Sequence, residues 1–333
     1  MKVLNYGSLN IDFVYSMEHF VRSGETLSSQ KMDIYPGGKG LNQSLALAKS
    51  GVETWHAGCV GEDGAFLVDL LKQNGVHTEL ITQISGRNGH AIIQRIPDGQ
   101  NCILLYGGSN LLNTTEQIDK ILSNFGEGDY LVLQNEVNEI AYIMEQAHRK
   151  KMKIVLNPSP MDEKIHSYPL EHVDYFILNE LEAQEMINGT EYDEDMIDKI
   201  AERFPNSKIV LTLGENGSVY KDSECIIRQS IVKVPVVDTT AAGDTFTGFF
   251  LGGIVNGLTP KAAMNQAAKA AAIAVSRLGA APSIPDIGEI DKLDRYRAAY
   301  TLFSKLQKAE GKSDKEGWIN ADDLEKELGI SEA

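Results

Sequence analysis

Cysteine is scarce in this sequence, and no spacing pairs it for metal binding or for disulfides. The 333 residues include only Cys59, Cys102 and Cys225, far apart and without a CxxC or Cys/His pattern. A structural zinc site or a disulfide framework is therefore not expected. The seven histidines are scattered without an HxxxH pair, which argues against a histidine-based metal site as well.

Positive charge and long apolar runs are also in short supply. The chain has 31 Lys and Arg against 47 Asp and Glu, a formal net charge of −16. Such a chain repels nucleic acid and anionic membrane surfaces, so neither is expected as a partner. No apolar run approaches the roughly 18 residues that a membrane span needs, and no signal peptide is visible. We expect a cytoplasmic protein.

The common nucleotide-binding motifs are missing too. The sequence has no GxxxxGK[ST] motif and no GxGxxG after a strand, so neither a P-loop nor a dinucleotide fold is supported. Because both motifs are missing, any nucleotide must be held in another way. At 42% hydrophobic, the chain is apolar enough to bury a large core.

The segment Asp238–Phe246, DTTAAGDTF, carries the most information about function. Two acids bracket a run of small residues, and a helical pattern follows from Thr245 to Ile254. A small-residue turn that opens a helix leaves backbone N–H groups unpaired beside the positive end of the helix dipole. That arrangement predicts an anion site, usually for phosphate. Asp244, a proton acceptor next to such a site, indicates phosphoryl transfer to a hydroxyl.

A second glycine-rich turn opens a helix at Pro36–Gln43, PGGKGLNQ. Together the two segments resemble the two signature motifs of the ribokinase-like (PfkB) sugar kinases. The resemblance begins with Gly7–Asp12, GSLNID, and ends with Ser276–Ser283, SRLGAAPS, so it covers roughly the first 285 residues in the expected order. Within that family the chain looks most like the ribokinases.

The pattern of helices and strands supports an α/β fold. From residue 115 onward, short apolar runs alternate with amphipathic helical patterns, which is typical of a parallel sheet buried on both faces. We predict strands at 130–133, 153–156, 175–178 and 208–213, with helices such as 139–150 and 193–204. The predicted fold is a doubly wound, mostly parallel sheet flanked by helices, and ligands bind beyond the carboxyl ends of its strands.

A small separate β layer is expected near the N-terminal end. Two alternating runs, 90–96 and 101–106, are joined by Pro97–Gln100, a strong hairpin turn. The resemblance implies that such a layer is a lid over the sugar and that two lids pair to form a homodimer. We predict a kinase domain at 1–288, its lid formed by about 12–35 and 90–106, and a C-terminal helical extension at 289–333.

A polyol needs several polar side chains around one pocket, and the N-terminal motifs supply them. The resemblance implies that the sugar contacts Asp244 and a further set: Asn10, Asp12, Gly38, Lys39, Asn42 and Glu136. Asp244 is predicted as the general base. The turn Ala241, Ala242 and Gly243 is predicted as the anion hole.

The resemblance also implies a nucleotide site for ATP. Asn179 and Glu182, in NELE, match the family's Asn-x-x-Glu, which organises water-bound Mg²⁺ and phosphate. The glycine-bearing loop Thr212–Gly217 matches the loop beside ATP. The predicted ATP residues are Asn179, Thr212, Gly214, Asn216, Gly217 and Gly243. Ala268 stands where many relatives have Asn or His near adenine, so adenine is expected to be held by shape.

A monovalent cation site is implied as well, at Asp238, Thr240, Ala274, Arg277, Gly279 and Ser283. Backbone carbonyls and one carboxylate suit K⁺, and this predicts activation by K⁺ over Na⁺.

The expected reaction is transfer of the γ-phosphoryl group of ATP to the 5-hydroxyl of D-ribose. Lys39 favours ribose, because many relatives for fructose, ketodeoxygluconate or nucleosides lack a lysine there. One alternative is a kinase of the same family for another sugar or nucleoside, such as fructose, ketodeoxygluconate, adenosine or pseudouridine. The other is a catalytically silent sugar-binding regulator. An intact Asp244 argues against it, because a pure sensor needs no base.

Overall fold

The structure is a computed structural model that describes residues 1–97, 100–187, 189 and 195–293. The chain divides into two units, Met1–Ile284 and Pro285–Ala333. In the second unit, residues 287–293 are helical, and the rest of the predicted extension lies outside the described residues. The middle of the predicted hairpin turn, residues 98–99, lies outside them too.

The first unit alternates strands and helices, as the sequence predicts. The strands are β1 (Val3–Tyr6), β2 (Asn10–Ser16), β3 (Lys31–Gly37), β4 (Thr54–Val60), β5 (His77–Gln83), β6 (Gly89–Arg95), β7 (Asn101–Tyr106), β8 (Tyr130–Gln134), β9 (Lys153–Asn157), β10 (Val173–Asn179), β11 (Lys208–Thr212), β12 (Ser218–Lys221) and β13 (Ile226–Gln229). The helices are α1 (Lys39–Lys49), α2 (Ala65–Gln73), α3 (Thr115–Leu122), α4 (Ile140–Arg149), α5 (Glu180–Met186), α6 (Met196–Arg203), α7 (Ala242–Val255) and α8 (Pro260–Val275). Within the described ranges, no helix has the length and apolar character to cross a membrane.

One large sheet has the strand order β13-β12-β11-β10-β9-β8-β1-β4-β5. The strands from β11 to β5 are parallel, and the β12–β13 hairpin extends the sheet antiparallel at one edge. The order reverses between β1 and β8, which are direct neighbours. Such a reversal opens a crevice at the carboxyl ends of the strands, where ligands of doubly wound folds bind.

Apolar side chains fill both faces of this sheet, which explains the continuous apolar runs. On one face, alternate residues of β8–β11 such as Leu133 and Leu156 pack against α3–α6 in one buried cluster. On the other, Tyr175 of β10 and Tyr220 of β12 contact Phe250 of α7. The core therefore holds the strand ends rigidly, so that side chains following them keep fixed positions.

The second sheet has four strands in the order β3-β2-β6-β7 and forms the predicted lid. Its first strand, β2, begins at Asn10, two residues before the expected start of the lid at 12. Sequence reasoning also missed β5 and the β12–β13 hairpin. β5 is half-exposed along its length, so its apolar residues show no regular pattern.

Candidate active site

The predicted anion turn lies at the start of α7 in an unusual backbone conformation. Ala241, the N-cap, has φ 59° and ψ 10°, in the left-handed region that non-glycine residues seldom adopt. No side chain caps the helix, and in the described chain no group accepts a hydrogen bond from the N–H of Gly243 or Asp244. These N–H groups, beside the positive end of the helix dipole, are available to an anion.

The space in front of this turn is open. A Cβ built on Gly243 would meet no atom within 4 Å. Packing inside the protein therefore does not require a glycine at position 243. The missing side chain instead leaves room for a bound group next to the turn.

Asp244 lies in the first turn of α7 and is only 7% exposed. Its Oδ2 accepts a hydrogen bond from Nδ2 of Asn42 at 3.0 Å, and its Oδ1 accepts one from Nε2 of Gln43 at 2.9 Å. The predicted base and one predicted sugar residue, 202 positions apart, are thus in direct contact. Gln43 was not predicted, although it directly follows Asn42 in the glycine-rich motif.

Small residues bring α1 and α7 close enough for these contacts. A Cβ on Gly248 would lie 2.3 Å from Cβ of Ala46, and one on Gly252 would lie 1.9 Å from Oγ of Ser50. Only glycine fits at either position without displacing α1. The glycines of α7, four residues apart, therefore position Asp244 against the start of α1.

The start of α1 is itself fixed by the turn after β1. Gly38 has φ 95°, and a Cβ on Gly40 would lie 2.3 Å from the backbone N of Ser8. The N–H of Leu41 donates to the carbonyl of Ser8 at 2.9 Å. The glycines of the PGGKG motif thus allow α1 to begin directly against β1, at the reversal in strand order.

The predicted sugar residues gather around this point. Asn10 and Asp12 lie on β2 of the lid, Lys39 and Asn42 on α1, and Glu136 after β8. Oε2 of Glu136 accepts hydrogen bonds from the Ser8 hydroxyl and, at 2.9 Å, from the N–H of Lys39.

Burial and nearby charges shift the pKa values of three of these groups. Burial raises the pKa of Glu136, although the Ser8 hydrogen bond and Lys39 oppose the change. Burial, and after it the charge of Glu136, raises the pKa of Asp12 to about 7. Burial would lower the pKa of Lys39, but Asp244, Glu136 and Glu182 outweigh it and raise that pKa. Lys39 is therefore a cation among carboxylates, well placed to offset their charge.

Asn10 is oriented by a residue that was not predicted. Its Oδ1 accepts a hydrogen bond from Nδ2 of Asn110 at 2.7 Å, and Oδ1 of Asn110 accepts one from the N–H of Leu9 at 3.0 Å. Because its oxygen is engaged in this way, Asn10 has its amide N–H groups available as donors. Asn110 follows the glycine pair Gly107-Gly108, which comes directly after β7. This glycine turn at the end of the lid was the available sequence signal.

A cavity of about 660 Å³ lies on the other side of the anion turn. Four predicted ATP residues line it: Thr212, Gly214, Gly217 and Gly243. Ala268 lines it as well, with further alanines of α8, while Asn179 and Asn216 are not among its lining residues. Residues 230–234 and 236, which were not predicted, form part of its wall. The walls are mostly small and apolar, which suits a flat aromatic base.

Asn179 and Glu182 form a capping box at the start of α5. Nδ2 of Asn179 donates to Oε1 of Glu182 at 2.9 Å, and the N–H of Glu182 donates to Oδ1 of Asn179 at 2.9 Å. Oε2 of Glu182 also accepts from Nδ2 of Asn157, at 3.3 Å. Asn157 was missed, although it ends β9 just as Asn179 ends β10. A fixed carboxylate with amide partners can order water around a hard cation.

Asp238 joins the loop before α7 to the loop after α8. Its Oδ1 accepts from the N–H and hydroxyl of Thr240 at 2.9 and 2.6 Å, and its Oδ2 accepts from the N–H of Gly279 at 3.0 Å. Burial works against it, but these hydrogen bonds lower the pKa of Asp238. Ala274 lies in the last turn of α8, where its carbonyl accepts a hydrogen bond from the N–H of Arg277, and the buried Ser283 lies in the loop after α8. One carboxylate among backbone carbonyls is a donor set that fits a large monovalent cation.

Comparison with known proteins identifies the relatives of this chain. Residues 1–287 match the family described as pfkB family carbohydrate kinase. A ribokinase of Haemophilus influenzae is 33% identical over 290 residues, which cover 84% of this chain and 94% of the relative. A ribokinase of Arabidopsis thaliana is 32% identical over 303 residues, covering 87% of this chain and 80% of the relative. A solved structure of Arabidopsis thaliana ribokinase complexed with ribose and ATP is 30% identical with a TM-score of 0.79, covering 87% of this chain and 97% of that one.

Proposed function

The chain belongs to the pfkB family of ATP-dependent carbohydrate kinases, as a sugar kinase of ribokinase type, and on that premise we propose that it phosphorylates the 5-hydroxyl of D-ribose. The observation that carries the proposal is the contact between Asn42 and Asp244. This contact joins the predicted sugar residues to a carboxylate that lies in an uncapped helix N-terminus.

In the proposed reaction Asp244 acts as general base. A carboxylate oxygen of Asp244 takes the proton as the sugar oxygen attacks the γ-phosphorus. The bond from the γ-phosphorus to the oxygen it shares with the β-phosphate breaks, and ADP leaves with that oxygen. The site would bring the sugar hydroxyl and the base within hydrogen-bonding reach, and such positioning accounts for much of the rate enhancement in reactions of this kind.

The turn Ala241–Gly243 would stabilise charge on the transferring group. The N–H groups of Gly243 and Asp244 are unpaired in the described chain and the space beside Gly243 is open, so they would need no rearrangement to bind phosphoryl oxygens. Lys39, charged among three carboxylates, lies on the sugar side of the same point. It would attract the phosphate while offsetting the negative charge of its neighbours.

The sugar would be held by donors and acceptors from both the lid and the main body. Asn10 offers N–H groups, and Asp12 and Glu136 offer carboxyl oxygens. Groups of both kinds suit a polyol, in which every hydroxyl donates and accepts. Gly38 allows the backbone to approach the sugar closely.

The cavity beside α8 would hold the nucleoside of ATP, with Ala268 against the base. Glu182 and Asn179 would hold Mg²⁺ through water, and when bound this ion would neutralise phosphate charge. We further propose that K⁺ binds among Asp238, Thr240, Ala274, Arg277, Gly279 and Ser283 and supports the anion turn. A cytoplasmic location and a homodimer formed through the lid complete the proposal.

The test is turnover of ATP with Mg²⁺ and K⁺ against a panel of D-ribose, deoxyribose, fructose, ketodeoxygluconate, adenosine and pseudouridine. We expect strong turnover on ribose, abolished in Asp244→Asn and reduced when Na⁺ replaces K⁺. Turnover only on another compound would overturn the ribose assignment. Tight sugar binding with no turnover would instead indicate a regulator, and equal rates in K⁺ and Na⁺ would overturn the cation site.

A further inference from the structure

Four amide side chains in the core form a continuous hydrogen-bonded chain, and one of them also binds Asp244. We name them the amide relay: Asn5, Gln134, Gln43 and Asn157. None is more than 9% exposed. Nε2 of Gln134 donates to Oδ1 of Asn5 at 2.9 Å and to Oε1 of Gln43 at 2.7 Å. Nε2 of Gln43 donates to Oδ1 of Asn157 at 3.0 Å and to Oδ1 of Asp244 at 2.9 Å.

Main-chain carbonyls at both ends fix the direction of every hydrogen bond in the relay. Nδ2 of Asn5 donates to the carbonyl of Gly40 at 2.7 Å, and a carbonyl can only accept. At the other end, Nδ2 of Asn157 donates to the carbonyl of Ile177 at 2.9 Å. Asn5 must therefore present its oxygen to Gln134, and Gln134 must present its N–H groups to Gln43. The oxygen of Gln43 is used there, so its N–H groups face Asp244 and Asn157.

We propose that Gln43 is a positioning residue that holds the Asp244 carboxylate in its reactive orientation. The inference rests on the role of Asp244 in the proposed function. Asn42, the other partner of Asp244, has a buried Oδ1 with no partner in the described part of the chain. Its amide is thus less constrained than that of Gln43, which is held by the relay on both sides. Gln43 is the partner that fixes the orientation of the base.

The relay also connects the base to the nucleotide side of the site. Nδ2 of Asn157 donates to Oε2 of Glu182 at 3.3 Å as well as to the carbonyl of Ile177. Gln43 therefore contacts Asp244 directly and is separated from Glu182 by one amide, that of Asn157. A shift of Gln43 would disturb the alignment of base and phosphate, and small misalignments of reacting groups are costly to rate.

The experiment compares Gln43→Met with Gln134→Met. Methionine has nearly the same shape as glutamine, and each replacement removes two buried donors from the relay. Of the two glutamines, only Gln43 contacts Asp244. We expect kcat of Gln43→Met to fall on the order of 100-fold with KM for ribose and ATP unchanged. In Gln134→Met the Gln43 amide keeps its hydrogen bonds to Asn157 and Asp244, so kcat should fall much less than in Gln43→Met, at a similar loss of thermal stability. Gln43→Glu, which places an acceptor against Oδ1 of Asp244, should lose at least as much as Gln43→Met.

Equal losses of kcat in the two methionine variants, in step with stability, would overturn the proposal, because they would indicate a structural role alone. Should Gln43→Met fail to fold, Gln43→Asn, whose amide falls one carbon short of Asp244, carries the same expectation. Asp244→Asn distinguishes a failure of the proposed base from a failure of the proposed role of Gln43. Full turnover there would overturn the proposed base, whereas loss there with normal kcat in Gln43→Met would overturn only this inference.

Discussion

Asp12 belongs to the proposed sugar site, and we expect its protonation to change near neutral pH. Burial, with the charge of Glu136 second, raises the pKa of Asp12 to about 7. Above that pH the carboxylate becomes a charge-assisted acceptor for a sugar hydroxyl. We expect KM for ribose to fall as pH rises through 7. Asp12→Asn should remove this dependence, and steady-state kinetics from about pH 6 to 8 with both proteins would measure it.

The same shift predicts how stability depends on pH. The folded chain keeps the Asp12 proton up to about pH 7, whereas an aspartate in the unfolded chain, with its ordinary pKa of 3.8, has lost it. The contribution of Asp12 to stability therefore declines as pH rises from about 4 to 7. Thermal unfolding should show a smaller decline in Asp12→Asn than in the parent. Identical pH profiles of KM and of unfolding in the two proteins would contradict this account of Asp12.

At the scale of the element, α7 uses its glycines for two different purposes. Gly243 faces open space, and Gly248 is in contact with Ala46 of α1. Gly243→Ala should leave the fold intact or stabilise it by about 0.5–1 kcal/mol, because alanine is the better helix former. Its methyl would nevertheless intrude on the proposed phosphate site, so KM for ATP should rise and kcat should fall.

Gly248→Ala is the matched control in the same helix. Its methyl would lie 2.3 Å from Cβ of Ala46, so we expect a loss of about 1–3 kcal/mol in the free energy of unfolding. Chemical denaturation and ATP kinetics of the two variants measure both effects. Normal ATP use by a folded Gly243→Ala would contradict the proposed anion hole.

The elements of the main sheet could be predicted because their signals are local. β8–β11 are apolar runs bounded by turns, and the start of α7 was expected from its small-residue turn. The hydrogen bond from Asn42 to Asp244 could be anticipated only through the family resemblance, because it joins residues 202 positions apart. Gln43 and Asn157 were missed because a buried amide looks like any polar residue until its partners are known. Hydrogen bonds across elements have no periodic signal in the sequence.

At the scale of the whole molecule, one face of the lid sheet is apolar and exposed. The strand register of the lid sheet places three residues in one row, on the face away from Asp12: Ile34, Ile92 and Leu104. With Met32 and Tyr106 they form what we call the outer lid face. Their side chains are between 37% and 66% exposed. An exposed apolar patch of this kind is typical of an interaction surface.

We expect this outer lid face to pair with that of a second copy, as the proposed homodimer requires. Ile34→Lys combined with Leu104→Lys would place two charges in the apolar interface, and burying unpaired charge is costly. Sedimentation should therefore show the parent at twice the chain mass of 36.6 kDa and the double variant at the single mass. Ile226→Lys, at a position 50% exposed on the edge strand β13 of the large sheet, should remain a dimer. A monomeric parent, or a double variant that stays dimeric, would remove the lid from the proposed assembly.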